Sequence, residues 1–295
     1  KIHTAVSNAF RPYIWLGNMA EGLSFFTESD KDWSRKDNTP MAAVVRKGNV
    51  TYLRIYLMNQ PCVRSKPFTL TFGFQASPCR PKINAGRQLT ERFSAPNSLT
   101  MSLLAGGGCW ACNGYDFWPM NRDYSFLNYL DMAQKGKLTK EQQAKIAQDH
   151  VKKHFTSFPK DRQAFFQRHF ERGFAYARSS KLLVPYLNPR ATHLRWPEYQ
   201  VFMDEWFCSE YRANNEDDYN NTPTKSYQDF LLACCEKLVD EGLDGIYYDN
   251  IRDWPNPNQV VGPAYTMKNG KVQPYFDIFD MRALIKRTAI MLSKK

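Results

Sequence analysis

The sequence predicts an α/β protein: a (β/α)8 barrel of the TIM type, whole or partial within this chain, preceded by part of a β-sandwich. Three observations carry that prediction. Residues 1–65 hold short runs of β-branched and aromatic residues separated by turn signals. In residues 66–295, strand-like runs alternate with helical stretches, the pattern of parallel strands with helices outside. Two of those runs, 199–203 and 245–248, end in acids, Asp204-Glu205 and Asp249. Carboxylates at successive strand ends gather on one rim of a parallel sheet, where barrels build active sites.

Within 1–65 the strand candidates are 13–16, 22–26, 41–45 and 50–57, with Lys47-Gly48-Asn49 as the turn between the last two. This β-rich segment is too small to bury a good core by itself, so it packs on the later part of the chain or is the remnant of a larger domain. In 66–295 the strand candidates are 68–74, 99–105, 182–187, 199–203 and 245–249. They are fewer than the eight a closed barrel needs, so either some strands are irregular or the barrel continues beyond Lys295. Helices are expected at 139–155, capped by Thr139 with Glu141 and Lys145 paired at i,i+4, and at 226–241, capped by Ser226 and stopped at Gly242. A third is expected at 280–292.

Composition bounds the function classes. A chain of 295 residues suffices for one large α/β domain or two smaller ones. The aromatic share of 15% is high, and rings beyond the needs of a core line clefts for flat or ring-shaped ligands. The formal charge of +11 raises nucleic acid as a partner, but the Lys and Arg residues are spread over helical stretches at 135–153 and 160–178. That distribution reads as a solvated basic surface, with no nucleic acid bound. No run approaches ~18 consecutive apolar residues, so no membrane span is expected. Lys1 is not an initiator Met, which leaves the lack of a signal sequence uninformative. Seven cysteines at irregular spacing argue against a disulfide scaffold, and Cys234-Cys235 within a helix reads as buried thiol.

The acids carry the chemistry. Successive strand residues point to opposite faces, so Asp204 and Glu205 serve one pocket only where the strand gives way to a loop. Adjacent carboxylates in one pocket split their pKa values, one ionised and one protonated, which suits acid/base work on a neutral substrate such as a glycoside. The plainer reading makes one of them a helix cap or an arginine partner. By strand parity Tyr247 and Asp249 share a face, and with Tyr248 and Asn250 they would line a sugar pocket; the plainer reading is a helix-capping Asp. Trp110, Tyr115, Trp118, Trp206 and Trp254 fall near strand ends as sugar platforms, with core packing as the alternative for each.

The segment Trp15-Leu-Gly-Asn-Met-Ala-Glu-Gly-Leu-Ser-Phe-Phe-Thr-Glu-Ser-Asp-Lys-Asp-Trp33 resembles a stretch of the bacterial β-N-acetylgalactosaminidases of glycoside hydrolase family 123 and their relatives. Phe72-Gly-Phe-Gln-Ala-Ser-Pro-Cys-Arg-Pro81 resembles the segment leading into that family's barrel, and Leu243-Asp-Gly-Ile-Tyr-Tyr-Asp-Asn250 is a more generic glycosidase-type strand. The resemblance implies an N-terminal sandwich, a barrel, an oligosaccharide or glycoconjugate substrate, no cofactor, and an extracellular or periplasmic setting. It also implies substrate-assisted retaining catalysis. Asp204 would orient the substrate's 2-acetamido group, whose carbonyl oxygen attacks the anomeric carbon, and Glu205 would protonate the leaving oxygen and later activate water. Two other readings remain: Asp249 as a covalent nucleophile with Glu205 as acid/base, and a carbohydrate-binding protein without catalysis.

Weaker motifs point to bland roles. Cys109-Trp-Ala-Cys112 after Gly106-Gly-Gly108 has no second cysteine pair at zinc spacing, and the glycines lack a phosphate-loop pattern. His150 and His154 stand at i,i+4, but Val151 occupies the place of a zincin glutamate, so surface histidines are expected. The acidic loop 214–220 lacks EF-hand spacing, and no metal is expected there or elsewhere. Asn49-Val-Thr51 and Asn220-Asn-Thr222 are glycosylation sequons.

Overall fold

The computed structural model describes residues 2–7, 9–36, 39–78, 101–102, 125–156, 159–179, 183–184, 186–193, 197–210, 218–240 and 242–295. The chain divides into two compact units, 1–82 with 253–279, and 83–252 with 280–295. Among the described residues there is no closed barrel. The expected (β/α)8 barrel is replaced by small, mainly antiparallel sheets with helices. Among the described residues, parallel pairing is limited to two pairs of two residues each.

The first unit begins with two antiparallel three-stranded sheets. One joins β1 (Ile2–Ser7), β4 (Ala42–Lys47) and β5 (Val50–Ile55), with the predicted turn at Gly48, which holds φ +61°, between the last two. The other joins β2 (Tyr13–Gly17), β3 (Gly22–Thr27) and β6 (Phe72–Ser77). Ile14, Phe25, Met41 and Ala42 form the buried cluster of this unit, with Phe10, Trp33, Leu53 and Ile55 packed against it. The two glycines of the Trp15–Trp33 segment have a packing reason. Gly17 and Gly22 face each other in register, and a β-carbon on Gly22 would stand 2.6 Å from the Trp15 indole. The ring therefore lies flat on a patch of sheet that only glycine leaves open.

The second unit is held by helices. β7 (Met101–Ser102) leads to α1 (Ser125–Gln134), α2 (Lys140–His154) and α3 (Lys160–Ser179). Thr139 is the N-cap of α2: its hydroxyl accepts from the Gln142 amide while the Gln142 side chain accepts from the Thr139 amide. Phe155, Phe166, Phe170 and Phe174 fill the space between these helices, and His150 is buried against Phe170 with ring centroids 4.9 Å apart. His150 is thus a core residue, not the surface histidine expected.

β8 (Leu183–Val184) pairs in parallel with β7, and β9 (Tyr186–Leu187), just beyond Pro185, pairs in parallel with β13 (Tyr247–Tyr248). Between them come β10 (Ala191–His193), α4 (Pro197–Trp206), β11 (Phe207–Glu210), β12 (Asp218–Asn221) and α5 (Lys225–Asp240), with β12 central in an antiparallel sheet of order β10-β12-β11. The expected strand at 199–203 is helix α4. Pro197 in the first turn and Glu198 beside it are helix-start signals, and Tyr199 and Trp206, seven residues apart, bury one helical face. The apolar run misled because Val201, Phe202 and Met203 are exposed.

The chain then makes an excursion through β14 (Pro255–Asn256), β15 (Tyr265–Thr266), β16 (Val272–Gln273) and β17 (Tyr275–Phe276), which belong to the first unit, before α6 (Ile278–Leu292). The expected helix 280–292 is α6, begun two residues earlier. Leu231 lies fully buried in the helical core, and Leu231→Ala is expected to cost about 2–5 kcal/mol in urea denaturation. Gly22→Ala should cost only about 1 kcal/mol, because the half-exposed Trp15 ring can swing into solvent, and a red-shifted tryptophan emission would report that swing.

Candidate functional site

The acids predicted at a strand end sit in the last turn of α4. Asp204 is exposed, whereas Glu205 is half-buried and accepts a hydrogen bond from the Ser226 hydroxyl at 2.6 Å. The local sequence explains the anchor. Trp206 is fully buried, its indole N–H donates to the same Ser226 oxygen at 2.9 Å, and Phe202, Tyr227 and Phe230 surround its ring. Trp206 is therefore a core residue rather than a sugar platform. Ser226 is free for this task because Thr224, not Ser226, caps α5: the Tyr227 amide donates to the Thr224 hydroxyl at 3.3 Å. The Thr222 amide donates to the Trp206 carbonyl at 2.8 Å and ties the end of α4 to the segment after β12.

Asp249 occupies the carboxyl end of β13 in the same unit, and its amide extends the parallel pairing by donating to the Leu187 carbonyl at 2.8 Å. Its carboxylate accepts from the Asn250 amide at 2.8 Å, and Asn250 takes the left-handed conformation, φ +55°. Tyr247 shares the parity of Asp249. Tyr248, on the other face, is a strut: its hydroxyl lies 3.4 Å from Cys235 Sγ and 3.0 Å from Thr288 Oγ1, which itself donates to the Leu284 carbonyl. Burial pushes the Cys235 thiol up to about 12, so it stays protonated and structural.

Two residues the sequence did not flag follow β9, the strand paired with that of Asp249. They are Asn188 and Arg190, both buried. The Asn188 side chain accepts from the Arg190 amide at 2.9 Å, and the Arg190 guanidinium donates to the Arg252 carbonyl at 2.8 Å. The chain leaves the paired strands β9 and β13 into Asn188 to Arg190 on one side and Asp249-Asn250 on the other, at the carboxyl ends where parallel strands present ligand-binding groups. Their signal in the sequence was a polar triplet, Asn188-Pro-Arg190, directly after an apolar run.

Of the predicted platforms, Trp254 belongs to the other compact unit from Asp249. Trp110, Tyr115 and Trp118 lie outside the described residues, as do Cys109, Cys112, Gly106 to Gly108 and most of the acidic loop. Asn220 of the second sequon is buried and donates to Ser209 Oγ at 2.9 Å, which leaves no room for a glycan, whereas Asn49 is exposed in a turn. Cys208, Cys234 and Cys235 are buried and Cys62 is exposed, and none of the four is in a disulfide. Among the described residues no group of three His, Cys, Asp or Glu side chains could hold a metal ion, and no helix is long and apolar enough to cross a membrane.

The Trp15–Trp33 segment closes the first unit. The Phe276 amide donates to the Glu28 carbonyl at 2.8 Å, the Phe279 amide to the Glu28 carboxylate at 2.7 Å, and Tyr265 O–H to Asp30 at 3.2 Å. Burial raises the Asp30 carboxyl above the usual carboxylate range, opposed by the Tyr265 hydrogen bond and by Arg35 at 3.5 Å. No protein-family model, curated protein or solved structure matched this chain.

These contacts set two expected outcomes. Ser226→Ala, which strips Glu205 and the Trp206 indole of a common partner, should lower stability by about 1–3 kcal/mol in chemical denaturation. Because its folded-state pKa is raised, Asp30 binds its proton more tightly in the folded chain, so its destabilising charge is relieved as pH falls through that value. The stability of the wild type relative to Asp30→Asn should therefore improve between pH 7 and about pH 4. An unchanged difference would show that Asp30 titrates as it does in the unfolded chain.

Proposed function

We propose that the chain is a glycoside hydrolase of the β-N-acetylgalactosaminidase kind, working through Asp204 and Glu205. One observation carries the residue assignment: Glu205 is a half-buried carboxyl held by Ser226 Oγ at 2.6 Å, next to an exposed Asp204. One fixed acid beside one solvent-facing acid suits unequal roles. The resemblance of residues 15–33 supplies the reaction class. In that reading Asp204 accepts a hydrogen bond from the substrate's acetamido N–H and turns its carbonyl oxygen toward the anomeric carbon. As that oxygen bonds to the carbon, Glu205 gives its proton to the departing glycosidic oxygen. Glu205, now ionised, takes a proton from the water that opens the oxazolinium ring, and the sugar leaves with its configuration retained.

A second reading rests on Asp249 at the carboxyl end of β13, its amide bonded to the Leu187 carbonyl of β9. Here Asp249 attacks the anomeric carbon directly while Glu205 serves as acid and then base, which needs no acetamido group on the sugar.

Release of p-nitrophenol from the β-N-acetylgalactosaminide and the β-galactoside separates the readings. Substrate assistance predicts activity on the first alone, strong inhibition by a thiazoline analogue, and a loss of about 10²–10⁴-fold in kcat/KM in both Asp204→Asn and Glu205→Gln. Activity on the plain galactoside, abolished in Asp249→Asn and insensitive to the thiazoline, would overturn it in favour of the second reading. Glycan binding that survives Glu205→Gln, with no hydrolysis of either substrate by the wild type, would rule out both in favour of a binding protein.

A further inference from the structure

The loop 28–33 of the first unit borders a cavity. The cavity offers about 140 Å³ to water, and its walls all belong to the first unit. A water molecule needs roughly 10–15 Å³ of such space, so the cavity takes about ten waters, or one pyranose ring in their place.

The walls are fixed before any ligand arrives. Thr27 donates its hydroxyl proton to the Thr71 carbonyl at 2.7 Å, and Ser29 donates to the Pro263 carbonyl at 3.2 Å. Asp32 holds φ +67°, with the Arg64 guanidinium on its carboxylate at 3.1 Å and also on its carbonyl. Trp33 stands edge-on to Phe10, with centroids 5.9 Å apart. A preformed pocket spares a ligand the cost of ordering its site.

The lining chemistry selects the ligand. At this wall Lys31, and Arg64 seated on Asp32, balance the acids Glu28 and Asp32, which disfavours a strongly charged guest. The Thr69 and Thr71 hydroxyls, with the lone pairs that Arg64 leaves on the Asp32 carboxylate, present the short-range donors and acceptors that hydroxyl groups use, and an apolar guest would strand them. Trp33 adds an indole, the surface on which the C–H face of a sugar ring packs. We propose that this cavity, whose lining includes neither Asp204 nor Glu205, is a binding subsite for a single neutral sugar residue and does not require hydrolysis by them.

Saturation-transfer NMR with methyl β-galactoside, methyl N-acetyl-β-galactosaminide and methyl β-glucoside tests it on the full chain. At least one should bind at low-millimolar concentration, to the wild type and to Glu205→Gln alike. Thr69→Phe, which fills the exposed rim, and Trp33→Ala should each weaken that binding by about tenfold or more, with thermal transitions recorded for both. Binding of none of the three, binding unchanged in the folded Thr69→Phe variant, or binding lost in Glu205→Gln would overturn the proposal. Because Glu205→Gln removes hydrolysis but not this site, failure here and failure of the glycosidase reading give different results.

Discussion

Burial of the Trp206 indole in a core of Tyr199, Tyr227, Leu231 and Leu238 orders the second unit from the end of α4 to the start of α5. An indole taken fully out of water must find an acceptor for its one N–H, and Ser226 supplies it. That fixes the Ser226 hydroxyl, which then donates to Glu205, so the position of the best candidate acid depends on the need to satisfy its neighbour. The Thr222 amide on the Trp206 carbonyl closes the same knot from the other side. A larger or smaller ring at Trp206 would disturb helix, sheet and carboxylate together.

Polar groups taken out of water elsewhere obey the same rule. Tyr248, Thr288 and Cys235 pass hydrogen bonds to a helix carbonyl, and Asn188 is spent on the Arg190 amide. Asn256 donates to Asp277 and to Tyr275, all three buried. Each such contact commits a polar group to the fold.

Local signals in the sequence translated well where one turn of chain decides the outcome. Thr139 with Gln142 capped α2, and Gly242, at φ +102°, ended α5 by the paired bonds from Gly242 to Val239 and from Leu243 to Leu238. The signal failed at 199–203, where an apolar run fitted strand and helix equally and only Pro197 and the seven-residue spacing of Tyr199 and Trp206 chose helix. With that strand went the rim of carboxylates, and the barrel prediction lost its main support. The true cap of α5 was illegible because Thr224 and Ser226 are both good caps, and the burial of Trp206 decided which hydroxyl went where.

The bonds that close the first unit join residues far apart along the chain: Ser29 to Pro263, Tyr265 to Asp30, and Phe279 to Glu28. On a ribosome adding about 5–20 residues per second, Asp30 waits roughly 10–50 s for its partner tyrosine to be made. Throughout that interval the β2-β3-β6 sheet lacks its closing strap, and Phe72 and Phe74 lie open even in the finished fold. The early unit is therefore completed only after most of the later one has been synthesised. During that interval those aromatic side chains are the apolar surface the nascent chain shows longest, whatever the stability of the finished fold.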